Sequence, residues 1–155
     1  MLKYVLAILF SMLPLVELRL GVPYAVGMGI DEPVAIVICA IGNLLPVPFI
    51  YFFARKLLIW GEKQKAIGKF CRFCLQKGEK AGQKLVAATG RGGLFIALLL
   101  FVGIPLPGTG AWTGTLGASF LDMGFKSTVV SVSLGVLLAG VIMAVGSMGV
   151  MSVFM

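Results

Sequence analysis

The apolar positions of this chain fall into two blocks, 2–54 and 94–155, separated by a polar stretch at 55–93. Each block repeats one order: a broken apolar stretch, a short polar corner, then an unbroken apolar stretch. In the first block these are 2–30, Asp31–Glu32–Pro33 and 34–54; in the second they are 94–121, Asp122–Met123–Gly124 and 127–154. A membrane span needs about 20 apolar residues, and 34–54 and 127–154 meet that length. The stretches 2–30 and 94–121 are each interrupted at mid-length by proline and glycine. The pattern predicts two re-entrant hairpins, each made of two half-length arms and followed by one full span. The alternative is four complete but kinked spans, because membrane helices tolerate Pro and Gly.

A shift of 91 positions aligns Pro14 with Pro105 and Asp31 with Asp122, and brings Gly42 within two residues of Gly135. One span per block, with the connector on one side, gives the two blocks opposite orientations. Inverted repeats with interrupted helices are a frequent architecture of secondary transporters, which bind substrate where the repeats meet. The expected fold is therefore an all-α integral membrane protein of one domain, 1–155, with repeat 1 at about 2–54, a connector at 55–93 and repeat 2 at 94–155.

Composition strengthens the membrane reading. The chain is 59% hydrophobic and 12% charged, against about 25% charged residues in soluble domains, and its mean hydropathy is +1.06. With so few spans, one copy encloses little space, so a homodimer is expected. Residues 1–12 have the look of a signal peptide, but no small-residue cleavage site follows; the segment reads as structural.

The net charge of +7 is concentrated in the connector, which holds ten of the thirteen basic residues and two of the six acidic ones. That bias predicts a cytoplasmic connector. Within it Ile67, Phe70, Cys71 and Cys74 fall on one helical stripe, with lysines 63, 65, 69 and 77 mostly off it. An amphipathic interfacial helix drawn to anionic lipid headgroups follows; a bare topology signal is the plainer alternative. The chain has no histidine, so Cys71 and Cys74 do not complete a zinc site, and Cys39 stands apart. No P-loop, nucleophile triad or haem ligand set is present. Neither an enzyme, a cofactor, a metal nor a nucleic-acid partner is expected.

The chemistry that remains lies in the broken stretches. Glu17 and Arg19, in PLVELRLGVPYAVGMG (14–29), are the charged residues between Lys3 and Asp31. Charge at membrane depth is costly and marks a pathway, a relay or a counter-ion; the plainer reading is an anchor at the headgroup boundary. Glu17 is the expected proton or cation site, with Arg19 as its partner or as an anion contact. In the second break, Pro105, Pro107, Gly108, Thr109, Gly110, Trp112 and Thr113 form the expected substrate-facing loop. There Thr109 is placed to cap an arm that starts near Ala111, directing a helix N-terminus at the membrane interior. A packed Pro-Gly hinge is the alternative. Asn43, in GNLLPVP (42–48), either bonds across helices or faces the site, and Pro46 and Pro48 are expected to kink the span.

ELRLGVPYAVGMG, GNLLPVP and PLPGTGAWTG together resemble the small multidrug export family of prokaryotic membrane proteins, over nearly the whole chain. The resemblance implies export of small lipophilic or cationic compounds across the inner membrane, with protons as a possible coupling ion. A more distant likeness to the DedA (VTT-domain) superfamily implies two facing re-entrant loops. It also implies movement of lipid phosphates such as undecaprenyl phosphate, although Gly110 stands where that superfamily carries an arginine. A non-transporting membrane assembly protein is the third reading.

Overall fold

The computed structural model describes residues 1–106 and 109–154; the side chains at 74, 78, 79, 81, 82, 85, 86 and 147–154 lie outside that description. The described residues form helices and turns, without a strand. The first broken stretch gives α1 (Leu2–Ser11) and α2 (Glu17–Gly27), joined by a turn at 12–16. The first span is two helices, α3 (Glu32–Leu44) and α4 (Val47–Glu62). Pro46 and Pro48 lack the N–H groups that would continue the ladder, so the helix restarts with Pro46 as N-cap. Together these helices make an apolar segment of 31 residues, Glu32–Glu62. It runs past the expected end at 54 to Glu62, and Arg55 within it pairs with Asp122.

The connector is not a separate element. It is shared between the end of α4, a turn at 63–67 and the N-terminal part of α5 (Gly68–Gly103), whose direction changes at Gly90 (φ 72°, ψ 178°), a left-handed conformation suited to glycine. The apolar part, Ala87–Gly103, is the first arm of the second broken stretch. The expected amphipathic stripe is split. Cys71 is buried beneath α4 at Gly61, while Phe70 is 68% exposed and Ile67 is also exposed. Arg72 Nε donates to Glu62 at 3.2 Å and closes this α4–α5 corner. The Cys74 side chain is among those outside the description.

After the second break come α6 (Ala111–Phe120) and α7 (Phe125–Phe154). The Phe125–Gly146 part of α7 is long and apolar enough to cross a membrane. α1 packs on α3, α5 on α7, and α3 on α7. Each contact is made close by a glycine. A side chain at Gly42 would lie 2.6 Å from the Ile8 carbonyl, and one at Gly135 would lie 2.8 Å from the Leu99 carbonyl. Gly140 lies against Ile36, while Asn43 and Val136 line one cavity; α3 and α7 therefore run antiparallel. The buried core follows this seam through Leu18, Cys39, Val102, Ala111, Val132 and Val136.

The two polar corners close alike. At the first, Gly29 (φ 75°) lets the Ile30 N–H reach the Ala25 carbonyl at 3.2 Å; at the second, Asp122 (φ 53°) lets the Met123 N–H reach Ala118 at 3.1 Å. Asp122 thus corresponds to Gly29 and not to Asp31, which begins α3 in an extended conformation. Gly42 meets the Ile8 carbonyl as Gly135 meets the Leu99 carbonyl; Ile8 and Leu99 are 91 positions apart, Gly42 and Gly135 are 93 apart.

Candidate functional site

Both helix breaks leave backbone carbonyls and amides without helical partners, and inside a membrane each would cost several kcal/mol if left bare. The structure meets that requirement across the two broken stretches. From the first, Arg19 donates to the carbonyls of Leu106 and Ile104 (3.4 Å for the latter) and to Thr109 Oγ1 at 2.6 Å. From the second, Trp112 Nε1–H donates to the Met12 carbonyl at 3.0 Å, in the break after α1. At the offset of 93, Arg19 and Trp112 are matching positions. Each sits one turn or less into the helix that follows its own break and reaches over to the other break.

Glu17 completes the arrangement. Its side chain is 8% exposed, and Oε1 accepts the Trp112 backbone N–H at 3.1 Å. The Ala111 amide also bonds the carboxyl. The carboxyl thus meets the free N–H groups and the partial positive charge at the start of α6. This cap comes from another helix. The expected cap, Thr109, does not make it: its hydroxyl lies 2.9 Å from both the Ile104 and Leu106 carbonyls and receives Arg19. The N-cap is Gly110, in extended backbone. Any side chain at Gly110 would overlap the Glu17 carboxylate. That is why a glycine stands where a larger residue would otherwise fit.

The backbone of Glu17 is itself unusual. Its φ of 48° puts a non-glycine residue in the left-handed region, at a cost on the order of 1–3 kcal/mol. The contacts above hold it there. Glu17 and Arg19 therefore work at opposite helix poles: Glu17 at the positive start of α6, Arg19 at the negative end of α5. They line the same cavity without forming an ion pair; the ion pairs among the described residues are Arg55–Asp122 and Arg72–Glu62.

Asn43 is the third polar member. It is 2% exposed and lines the cavity with Glu17, Arg19, Gly110 and Val136. Its Oδ1 has no hydrogen-bond partner. Of the remaining sequence-predicted residues, Pro105 is half-buried within the second break. Thr113 faces away from Glu17 into an apolar groove of about 240 Å³ beside Leu98, Phe101 and Gly114. Pro107 and Gly108 lie outside the described residues. Sequence reasoning missed the Met12 carbonyl, the Ala111 amide and Val136. Equal spacing was the available signal: Gly21 and Gly42, like Gly114 and Gly135, are 21 positions apart, and Gly21 meets Ser11 as Gly114 meets Val102.

Apolar helices packed on glycines, with charge buried where two of them break, define an all-α membrane protein. The family model described as "Putative small multi-drug export protein" matches residues 17–142, which include Glu17, Arg19, Asn43 and the whole second break. The chain belongs to that family. No curated protein and no solved structure matches the chain.

Proposed function

We propose that the chain is a small proton-linked exporter of lipophilic or cationic compounds, built from two inverted repeats whose re-entrant hairpins meet at Glu17. One observation carries this reading: a buried carboxyl from the first hairpin sits on the free amides of the second. A carboxyl there gains or loses a proton only by changing how the two hairpins are held together. That is the linkage a coupled transporter needs. The antiparallel packing of α3 and α7, and the matching contacts at offsets of 91 and 93, support the inverted repeat. In this reading Arg19 is a positioning residue, since its donors are used on the carbonyls of the second break.

The protein works in the inner membrane as a homodimer, with the basic 55–93 segment on the cytoplasmic side against anionic lipid. The apolar groove next to Thr113 receives the lipophilic part of the substrate. A lipid-phosphate flippase would need Arg19 or the start of α6 free for phosphate, and both are engaged within the protein.

The test is proton-gradient-driven export in everted vesicles containing wild type or Glu17→Gln. Wild type is expected to move a lipophilic cation only when a gradient is imposed; Glu17→Gln is expected to fold and to lose that dependence. Export that is equally gradient-dependent in the variant would remove Glu17 from the mechanism. Stabilisation of purified protein by lipid phosphates but not by cations would favour the flippase, and stabilisation by neither the assembly role.

A further inference from the structure

We infer that a single water molecule occupies the cavity between Glu17 and Asn43 and is the group through which Glu17 exchanges its proton. The inference rests on the proton-linked role of Glu17 proposed above.

Asn43 Oδ1 is a buried acceptor without a partner, and such groups in native structures are met by protein or by ordered water. The cavity it lines offers the centre of a water molecule about 10 Å³, close to the minimum of about 10–15 Å³ for one water. A buried water needs two to four polar partners, and Asn43 Oδ1 and the Glu17 carboxyl supply them. The other lining residues, Leu18, Val102, Ala111, Val136 and Ala139, bring apolar side chains from α2, α5, α6 and α7. Arg19 is the charged group beside Glu17 among those lining the cavity.

The charges around the cavity select water over a metal cation. The Arg19 guanidinium and the N-terminus of α6 are both positive toward the cavity, and the amide N–H of Trp112 already occupies Oε1 of the carboxyl. A water answers both states of the acid. When Glu17 is ionised, the water donates one O–H to the carboxylate and the other to Asn43 Oδ1. When a hydronium delivers a proton, the new O–H bond forms on the carboxyl and the water left behind keeps its bond to Asn43. Release is the reverse: the carboxyl O–H bond breaks, the proton returns to the water as hydronium, and each exchange changes the charge that the Trp112 amide holds between the two broken stretches.

Infrared difference spectra of the full-length protein in lipid, cycled between pH 5.5 and pH 8, test this. The carboxyl C=O band of Glu17 is identified by its loss in Glu17→Gln. The expected spectrum pairs that band with a water O–H band that shifts in H₂¹⁸O. The water band is expected to vanish in Asn43→Leu and to persist in Asn43→Ser, which keeps a hydroxyl acceptor. A Glu17 band with no ¹⁸O-sensitive partner overturns the water. So does an ¹⁸O-sensitive band that survives in Asn43→Leu, or replacement of the water band by a response to added sodium. Absence of any Glu17 titration band overturns the proton role itself, so the two readings fail separately.

Discussion

The two helix breaks solve one problem with different chemistry. The first hairpin contributes charge: Glu17 to the start of α6 and Arg19 to the end of α5. The second contributes, at the matching positions, Gly110 and the neutral indole of Trp112. The difference teaches that a shared backbone plan does not need shared side chains. One broken stretch keeps the charged side chains, and the other keeps the small residue and the backbone amides that receive them. Under this division the second hairpin is the receptor and the first is the ligand.

Gly110→Ala attacks the division most directly. Its methyl group would overlap the Glu17 carboxylate, so the carboxylate must leave the α6 amides. Overpacking of this kind costs about 1–3 kcal/mol, and a lost hydrogen bond to a charged group adds about 1.5–3 kcal/mol. Thermal unfolding in detergent should show this as the largest loss, with export abolished. The same change at the matching position, Glu17→Ala, removes the ligand without overlap and should cost less.

Arg19→Met and Trp112→Phe compare the two crossing donors. Arg19→Met removes the hydrogen bonds to the carbonyls of Ile104 and Leu106 and to Thr109, while the Thr109 hydroxyl and the Leu106 and Thr109 amides still serve those carbonyls; each charge-assisted bond not replaced costs about 1.5–3 kcal/mol. Trp112→Phe strands the Met12 carbonyl alone, at about 1–3 kcal/mol. Paired melting curves should rank Arg19→Met clearly below Trp112→Phe. Equal losses would mean that the two donors are interchangeable and the asymmetry is cosmetic. The smallest effect belongs to Asp122→Asn. The Arg55–Asp122 pair has an Asp122 side chain that is 54% exposed, so its loss should cost about 0.2–1 kcal/mol; asparagine also tolerates the left-handed backbone there.

Much of this was legible in the residues. Charge is so rare in the apolar blocks that Glu17 and Arg19 identified themselves, and stacked Pro and Gly located both breaks. What stayed hidden was partnership. A backbone carbonyl such as that of Met12 leaves no mark in a sequence, so the role of Trp112 could not be read. The capping rule pointed to Thr109 because it considers the local chain, whereas the actual cap arrives from 95 positions away. An offset of 91 could be read from Pro14 and Pro105, whereas the close contacts of Gly42 and Gly135 fall 93 positions apart, a spacing that only the glycines mark. The Cys71 stripe misled for a related reason: periodicity marks an apolar face without saying which of its members turns onto α4 and which turns outward.

Reciprocal hydrogen bonding also sets a clock on biogenesis. The Met12 carbonyl waits for Trp112, which lies 100 positions later in the chain. At roughly 5–20 residues per second of synthesis, that is about 5–20 s. Throughout that interval the Met12 carbonyl, Glu17 and Arg19 lack the partners that the second break supplies. Those groups need water or another shelter until the residues of the second break are made.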